Sequence, residues 1–130
     1  TPASSTRPTD AQAKRILVVD DNVDAGELLT DALRHAGHEV AFADRAELGL
    51  AAAVSFKPDI AVLDIGLPDM DGYELAARIR AHSPSANVRI IALTGYGQEQ
   101  DRLRSQAAGF SDHIVKPVDI RHLLQLVSTQ

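Results

Sequence analysis

Ile16-Leu17-Val18-Val19-Asp20-Asp21-Asn22 is the stretch from which the rest of the chain can be read. Its first four residues are bulky and apolar without alternation, the pattern of a parallel strand covered by helices on both faces. The period then changes. Ala25, Leu28, Leu29, Ala32, Leu33 and Ala36 fall at helical spacing, and Gly37 stands where a helix end favours glycine. A doubly buried strand followed at once by an amphipathic helix is the opening of a βαβ unit, and it predicts more of the same downstream.

The expectation is met along the sequence. Glu39 to Ala43 alternates and so suits an edge strand, and an Ala-rich helix from about Arg45 to Ser55 follows, weakened slightly by Gly49. Asp59 to Leu63 is a second central strand. After it come a loop from Asp64 to Asp71 and a helix to about His82, with Leu75 and Ile79 inward and Asp71 as a candidate N-cap. Val88 to Leu93 gives a fourth strand, 98–108 a polar helix and His113 to Val115 a short fifth strand. Ile120, Leu123, Leu124 and Val127 mark the last helix, and Leu126 falls off its main stripe. Alternating strands and helices joined by right-handed crossovers predict a doubly wound, flavodoxin-like (βα)5 α/β sandwich. The parallel order 2-1-3-4-5 places the alternating second and the short fifth strand at the edges.

Composition narrows the function. A chain of 130 residues with 45% hydrophobic and 24% charged residues suits one globular domain, here 15–130. Residues 1–14, rich in Pro, Ser, Thr and Ala, read as a disordered tail or linker, of the kind left when a domain is cut from a longer chain. The absence of cysteine removes thiolate metal sites and thiol nucleophiles and permits a reducing cytoplasm, where we expect the domain to reside. With 13 basic and 18 acidic residues, a net charge of -5 and no basic cluster, direct nucleic-acid binding is disfavoured. The apolar runs are too short for a transmembrane helix, and no membrane contact by this domain is expected.

In an open parallel sheet the site lies beyond the carboxyl ends of the strands, where strand order reverses. For order 2-1-3-4-5 that is between strands one and three, which end in Asp20-Asp21 and in Asp64. Three carboxylates so placed raise one another's pKa unless a cation neutralises them, and an oxygen-only set suits Mg²⁺, with Ca²⁺ the weaker alternative. Against this stands a purely structural role for the acids, as helix cap and turn formers. Thr94 and Lys116 end strands four and five at the same sheet edge. A hydroxyl and an ammonium facing a metal-bound carboxylate make a place for a phosphoryl group, with an aspartate as nucleophile.

Four fragments carry a resemblance: 16–22, Val-Leu-Asp-Ile-Gly-Leu-Pro-Asp-Met-Asp-Gly-Tyr-Glu-Leu at 62–75, Ala-Leu-Thr-Gly at 92–95 and Val-Lys-Pro at 115–117. In this order, at matching strand ends, they resemble the receiver domain of two-component response regulators. The resemblance implies Asp64 as phosphoacceptor, Asp20 and Asp21 as an acidic pair holding Mg²⁺ with Asp64 and the Gly66 carbonyl, Thr94 as switch hydroxyl and Lys116 as phosphate-binding lysine. It further implies a cis bond before Pro117, and residues at Gly66 and Tyr96 that tune access of water. One position departs from the family: His113 stands where Tyr or Phe is usual, so it is either the switch residue or an exposed edge histidine. The partners implied are a histidine kinase or phosphotransfer domain as donor and a downstream protein on the face of helix 98–108, the fifth strand and the last helix. Such a chain is not an enzyme beyond turnover of its own Asp64.

Two rivals are weaker. An aspartyl-nucleophile phosphatase resembles Asp-x-Asp, yet Asp64 is followed by Ile65 and Gly66. A flavodoxin-like electron carrier would need a first loop that welcomes phosphate, and Asp20-Asp21 would repel it. Within the family, the chain reads as a stand-alone receiver or as the terminal receiver of a hybrid histidine kinase, the loose tail favouring the second.

Overall fold

The computed structural model describes residues 13–67, 69–70, 72–82, 88–95 and 110–128. Strands β1 (Arg15–Val19), β2 (Glu39–Ala43), β3 (Ile60–Asp64), β4 (Arg89–Thr94) and β5 (Asp112–Val115) form one parallel sheet in the order β2-β1-β3-β4-β5. Helices α1 (Val23–His35), α2 (Ala46–Phe56), α3 (Gly72–His82) and α4 (Ile120–Ser128) lie between and after them. The order and the strand sequence match the expectation from the sequence, with boundaries shifted by a residue or so at element ends. The expected helix over 98–108, the proposed Asp71 cap, most of the tail and Tyr96 lie outside the described residues.

The unbroken apolar strands are explained by a core on each face. Leu17, Val19, Ala61, Leu63, Ile90 and Ala92 pack with α2 and α3, whereas Ile16, Val18, Val62, Ile91, Leu93 and Ile114 pack with α1 and α4. Alternate residues of a strand point to opposite faces, so a central strand needs apolar side chains at every position. Leu126 is not a free surface leucine: it is half-buried against the α1/α4 core.

Helix ends follow local chemistry. The Asn22 side chain accepts from the Ala25 N–H at 3.1 Å, capping α1. At the other end Gly37 adopts φ 99, and its N–H and that of His38 reach back to the Arg34 and Leu33 carbonyls at 2.9 and 3.2 Å. This pair of bonds closes a Schellman turn, the role the sequence assigned to Gly37. Gly49 costs α2 helix propensity for a packing reason. A Cβ there would meet Val19 Cγ2 at 2.7 Å, so only glycine lets α2 lie this close to β1.

His38 fastens the entry to the sheet. The Lys14 N–H donates to His38 Nδ1 at 3.1 Å, which requires a neutral ring, and burial together with the nearby Lys14 ammonium holds its pKa below the ordinary 6.5. The unfolded chain therefore takes up this proton at a higher pH than the folded one does. Stability present above 6.5 is lost as pH falls from there through the folded value. Urea midpoints measured at roughly pH 7.5 and pH 5.5 are expected to drop more steeply for the parent than for His38→Gln.

Candidate functional site at the carboxyl edge of the sheet

Four of the five strand ends each deliver one part of the site. β1 runs out into Asp20, which is 1% exposed and whose Oδ1 accepts from the Asn22 N–H at 2.9 Å. β3 ends in Asp64, 5% exposed, with Oδ1 accepting from the Gly66 N–H at 2.9 Å. Asp21 is exposed, yet one carboxylate oxygen from each of Asp20, Asp21 and Asp64 lies within 4.8 Å of the others. Lys116, just past β5, places Nζ 2.8 Å from Asp64 Oδ2 and 3.7 Å from Asp20 Oδ2. The peptide bond between Lys116 and Pro117 is cis.

Thr94 ends the neighbouring strand at the same edge of the sheet. It is 2% exposed at the end of β4, and its carbonyl accepts from the Lys116 N–H at 2.7 Å, so the threonine and the lysine share one backbone link. The register pairs Ala92 with His113 and Thr94 with Val115, which puts all four on one face of the sheet. There the His113 ring is half-buried, its centroid 6.1 Å from that of Phe110, which stacks edge-on against Tyr73 at 5.7 Å.

The electrostatics show three acids sharing one cation. Burial pushes Asp20 above the ordinary carboxylate range, and the Asp64 charge adds to this against the Asn22 N–H and Lys116. Asp21 is also raised, by desolvation first and then by its contact with Asp64. Asp64 moves the other way: burial would raise it, but the Lys116 ammonium, the Gly66 N–H and Asp21 together hold it low. For Lys116, desolvation is outweighed by the ion pair with Asp64 and the fields of Asp20 and Asp21, so its pKa rises. One lysine cannot balance three carboxylates. A converging oxygen-only set with that residual charge fits a hard divalent cation.

The sequence brought these residues into view, but two features of the site escaped it. Asp69, in the loop after Asp64, accepts from the Ala46 and Glu47 N–H groups at 3.0 and 3.1 Å, capping α2 from a distant part of the chain. The only local signal was that Arg45, at the N-cap of α2, makes no side-chain capping bond. The second feature is a cleft of about 500 Å³ beside the acids, between Ala25, Leu28 and Leu29 of α1 and the segment Lys116, Pro117, Val118 and Ile120.

Comparison with known proteins agrees with this geometry. The family model of the response regulator receiver domain matches residues 16–128. An uncharacterized 14.6 kDa protein of Leptolyngbya boryana is 39% identical over 86% of this chain and 86% of its own length. The crystal structure of a CheY-like response regulator receiver domain protein from Methanospirillum hungatei superposes with a TM-score of 0.81 at 35% identity, covering 88% of this chain and 90% of that one. The receiver domain of the sensor histidine kinase PA1611 of Pseudomonas aeruginosa, solved with magnesium in its active-site cleft, gives 0.78 at 30% identity, covering 88% and 94%. Against several transcriptional regulators that it matches, the chain spans only about half of their length. With three acids gathered at the switch point of a 2-1-3-4-5 sheet and nearly the whole described chain matched, this protein belongs to the response regulator receiver domains of two-component signalling.

Proposed function

We propose that Asp64 is the phosphoacceptor of a His-to-Asp phosphorelay. The observation that carries this is the lysine ammonium 2.8 Å from a buried strand-end carboxylate, with two further acids alongside. An Asp64 oxygen attacks the phosphorus of a phosphohistidine, the P–N bond breaks, and the imidazole leaves with a proton. Later a water attacks the acyl phosphate, releasing inorganic phosphate and restoring the carboxylate. The chain's own catalysis is limited to this cycle.

Asp21, Asp64 and the Gly66 carbonyl would hold Mg²⁺, with Asp20 acting through a bound water. When bound, the ion supplies charge neutralisation to the phosphoryl oxygens. Lys116 neutralises a second oxygen, and the Thr94 hydroxyl donates to a third. Because the Thr94 carbonyl holds the Lys116 N–H, a shift of the threonine pulls on the end of β5. His113, on the same face as Thr94, is placed to follow that shift as the switch side chain, and the downstream partner would read the surface of β5, the last helix and segment 98–108.

The cleft between α1 and the Pro117 segment opens beside Asp20 and Lys116, which supports a donor, a histidine kinase or phosphotransfer domain, seated over α1. Gly66 stands beside the acceptor: among the described residues, a Cβ there would have only Asp64 Oδ1 near it, at 3.8 Å. A side chain at this position would therefore lie against the acceptor, where it would tune the access of the hydrolytic water. No described helix is long and apolar enough to cross a membrane. We place the domain in the cytoplasm, with its kinase or phosphotransfer donor.

Incubation with a small acyl phosphate and Mg²⁺, followed by intact mass, tests the reading. One added phosphoryl group is expected, with loss of labelling on chelation. Labelling that survives chelation, or that maps elsewhere than Asp64, would refute it.

A further inference from the structure

Helix α2 is apolar on both sides, although only one side meets the sheet. Its inner residues, Ala46, Gly49 and Ala53, are small and buried, and Gly49 brings the helix into contact with Val19. Leu50 is half-buried against the core, but two larger apolar residues stand on the outer side: Leu48 is 50% exposed and Val54 47%, with Ala51 exposed between them. Glu47 is the sole charged residue from Ala46 to Phe56. A helix covered on one face carries charge on the other unless something else covers it.

We propose that this outer face pairs two copies of the chain, antiparallel, about a two-fold axis through Ala51. The pattern large-small-large reads the same in both directions, which is what an isologous contact requires. Leu48 of one copy meets Val54 of the other, and Ala51 meets Ala51, where small side chains let the backbones approach. Charges agree with the antiparallel sense. Glu47 falls opposite Ser55 and within reach of Lys57, the left-handed residue that ends the helix. Arg45, which would otherwise oppose Lys57, is already paired with Asp44 at 3.2 Å. The helix dipoles also oppose one another favourably. A contact between two short helices falls in the small, transient class of interfaces, so the dissociation constant belongs at about 0.1–1 mM.

The chain has no cysteine, which gives a clean test on the full, unphosphorylated protein. Under mild oxidation, Ala51→Cys is expected to form a disulfide-linked dimer about tenfold faster than Ala77→Cys, an exposed position on α3. The advantage should vanish when Leu48→Lys is added, with circular dichroism confirming the fold. Sedimentation should show concentration-dependent dimer that Leu48→Lys removes and that Leu28→Lys, on α1, leaves intact. Equal cross-linking at positions 51 and 77, or loss of dimer only with Leu28→Lys, would overturn the proposal.

Discussion

Asp64→Asn is expected to take up no phosphoryl group under conditions that label the parent fully, while remaining folded. The amide oxygen is a poor nucleophile, and the substitution removes the one carboxylate that Lys116 contacts at 2.8 Å. Folding should survive because the exchange is nearly isosteric and relieves repulsion at the site. The Asp64 charge is among the causes that raise both Asp20 and Asp21, so both should titrate closer to ordinary aspartates in the variant. Carboxyl-selective NMR titration reads that shift, and intact mass reads the loss of labelling. Undiminished uptake by Asp64→Asn would move the acceptor elsewhere and remove the basis of the proposed chemistry.

Lys116→Gln separates two functions that simple inactivation would confuse. The ammonium competes with any cation for the same carboxylates, being 2.8 Å from Asp64 and 3.7 Å from Asp20. Its removal is expected to tighten Mg²⁺ binding by roughly tenfold, since even a screened charge at this range is worth more than ~1 kcal/mol. Phosphoryl uptake should nevertheless slow by about 10²–10³, the usual loss when one preorganised donor to the developing charge is taken away. Calorimetric titration with Mg²⁺ and a time course of labelling measure the two quantities independently. Should metal affinity and labelling fall together, Lys116 would be a structural support of the acidic cluster and not a phosphate ligand.

The main lines of the fold and most of the acidic site are legible in the sequence because they rest on short-range pattern. Ile16 to Val19 and Asp59 to Leu63 show no alternation since each faces a core on both sides, and the alternation of Glu39 to Ala43 marks an edge. Gly37 is readable because a helix end selects it locally. The acids and Lys116 are readable because parallel strands deliver their last residues to one edge. What could not be read depends on which distant segments touch. Nothing near Asp69 says that it caps a helix beginning at Ala46, and nothing near His38 says that it accepts from the Lys14 N–H. Gly49 is a flaw in helix propensity whose reason lies on another element, in Val19 of β1 packed against it.

The Asp69 cap has a consequence for how the chain can vary. The segment after Asp64 is pinned twice, once where the Gly72 N–H donates to the Ile65 carbonyl at 3.1 Å and once where Asp69 grips the start of α2. Surface connections usually tolerate insertions and deletions freely. Here a residue added or lost between Ile65 and Asp69 would disturb both anchors, so this stretch behaves as a ruler whose length descendants of the chain must keep while its side chains drift.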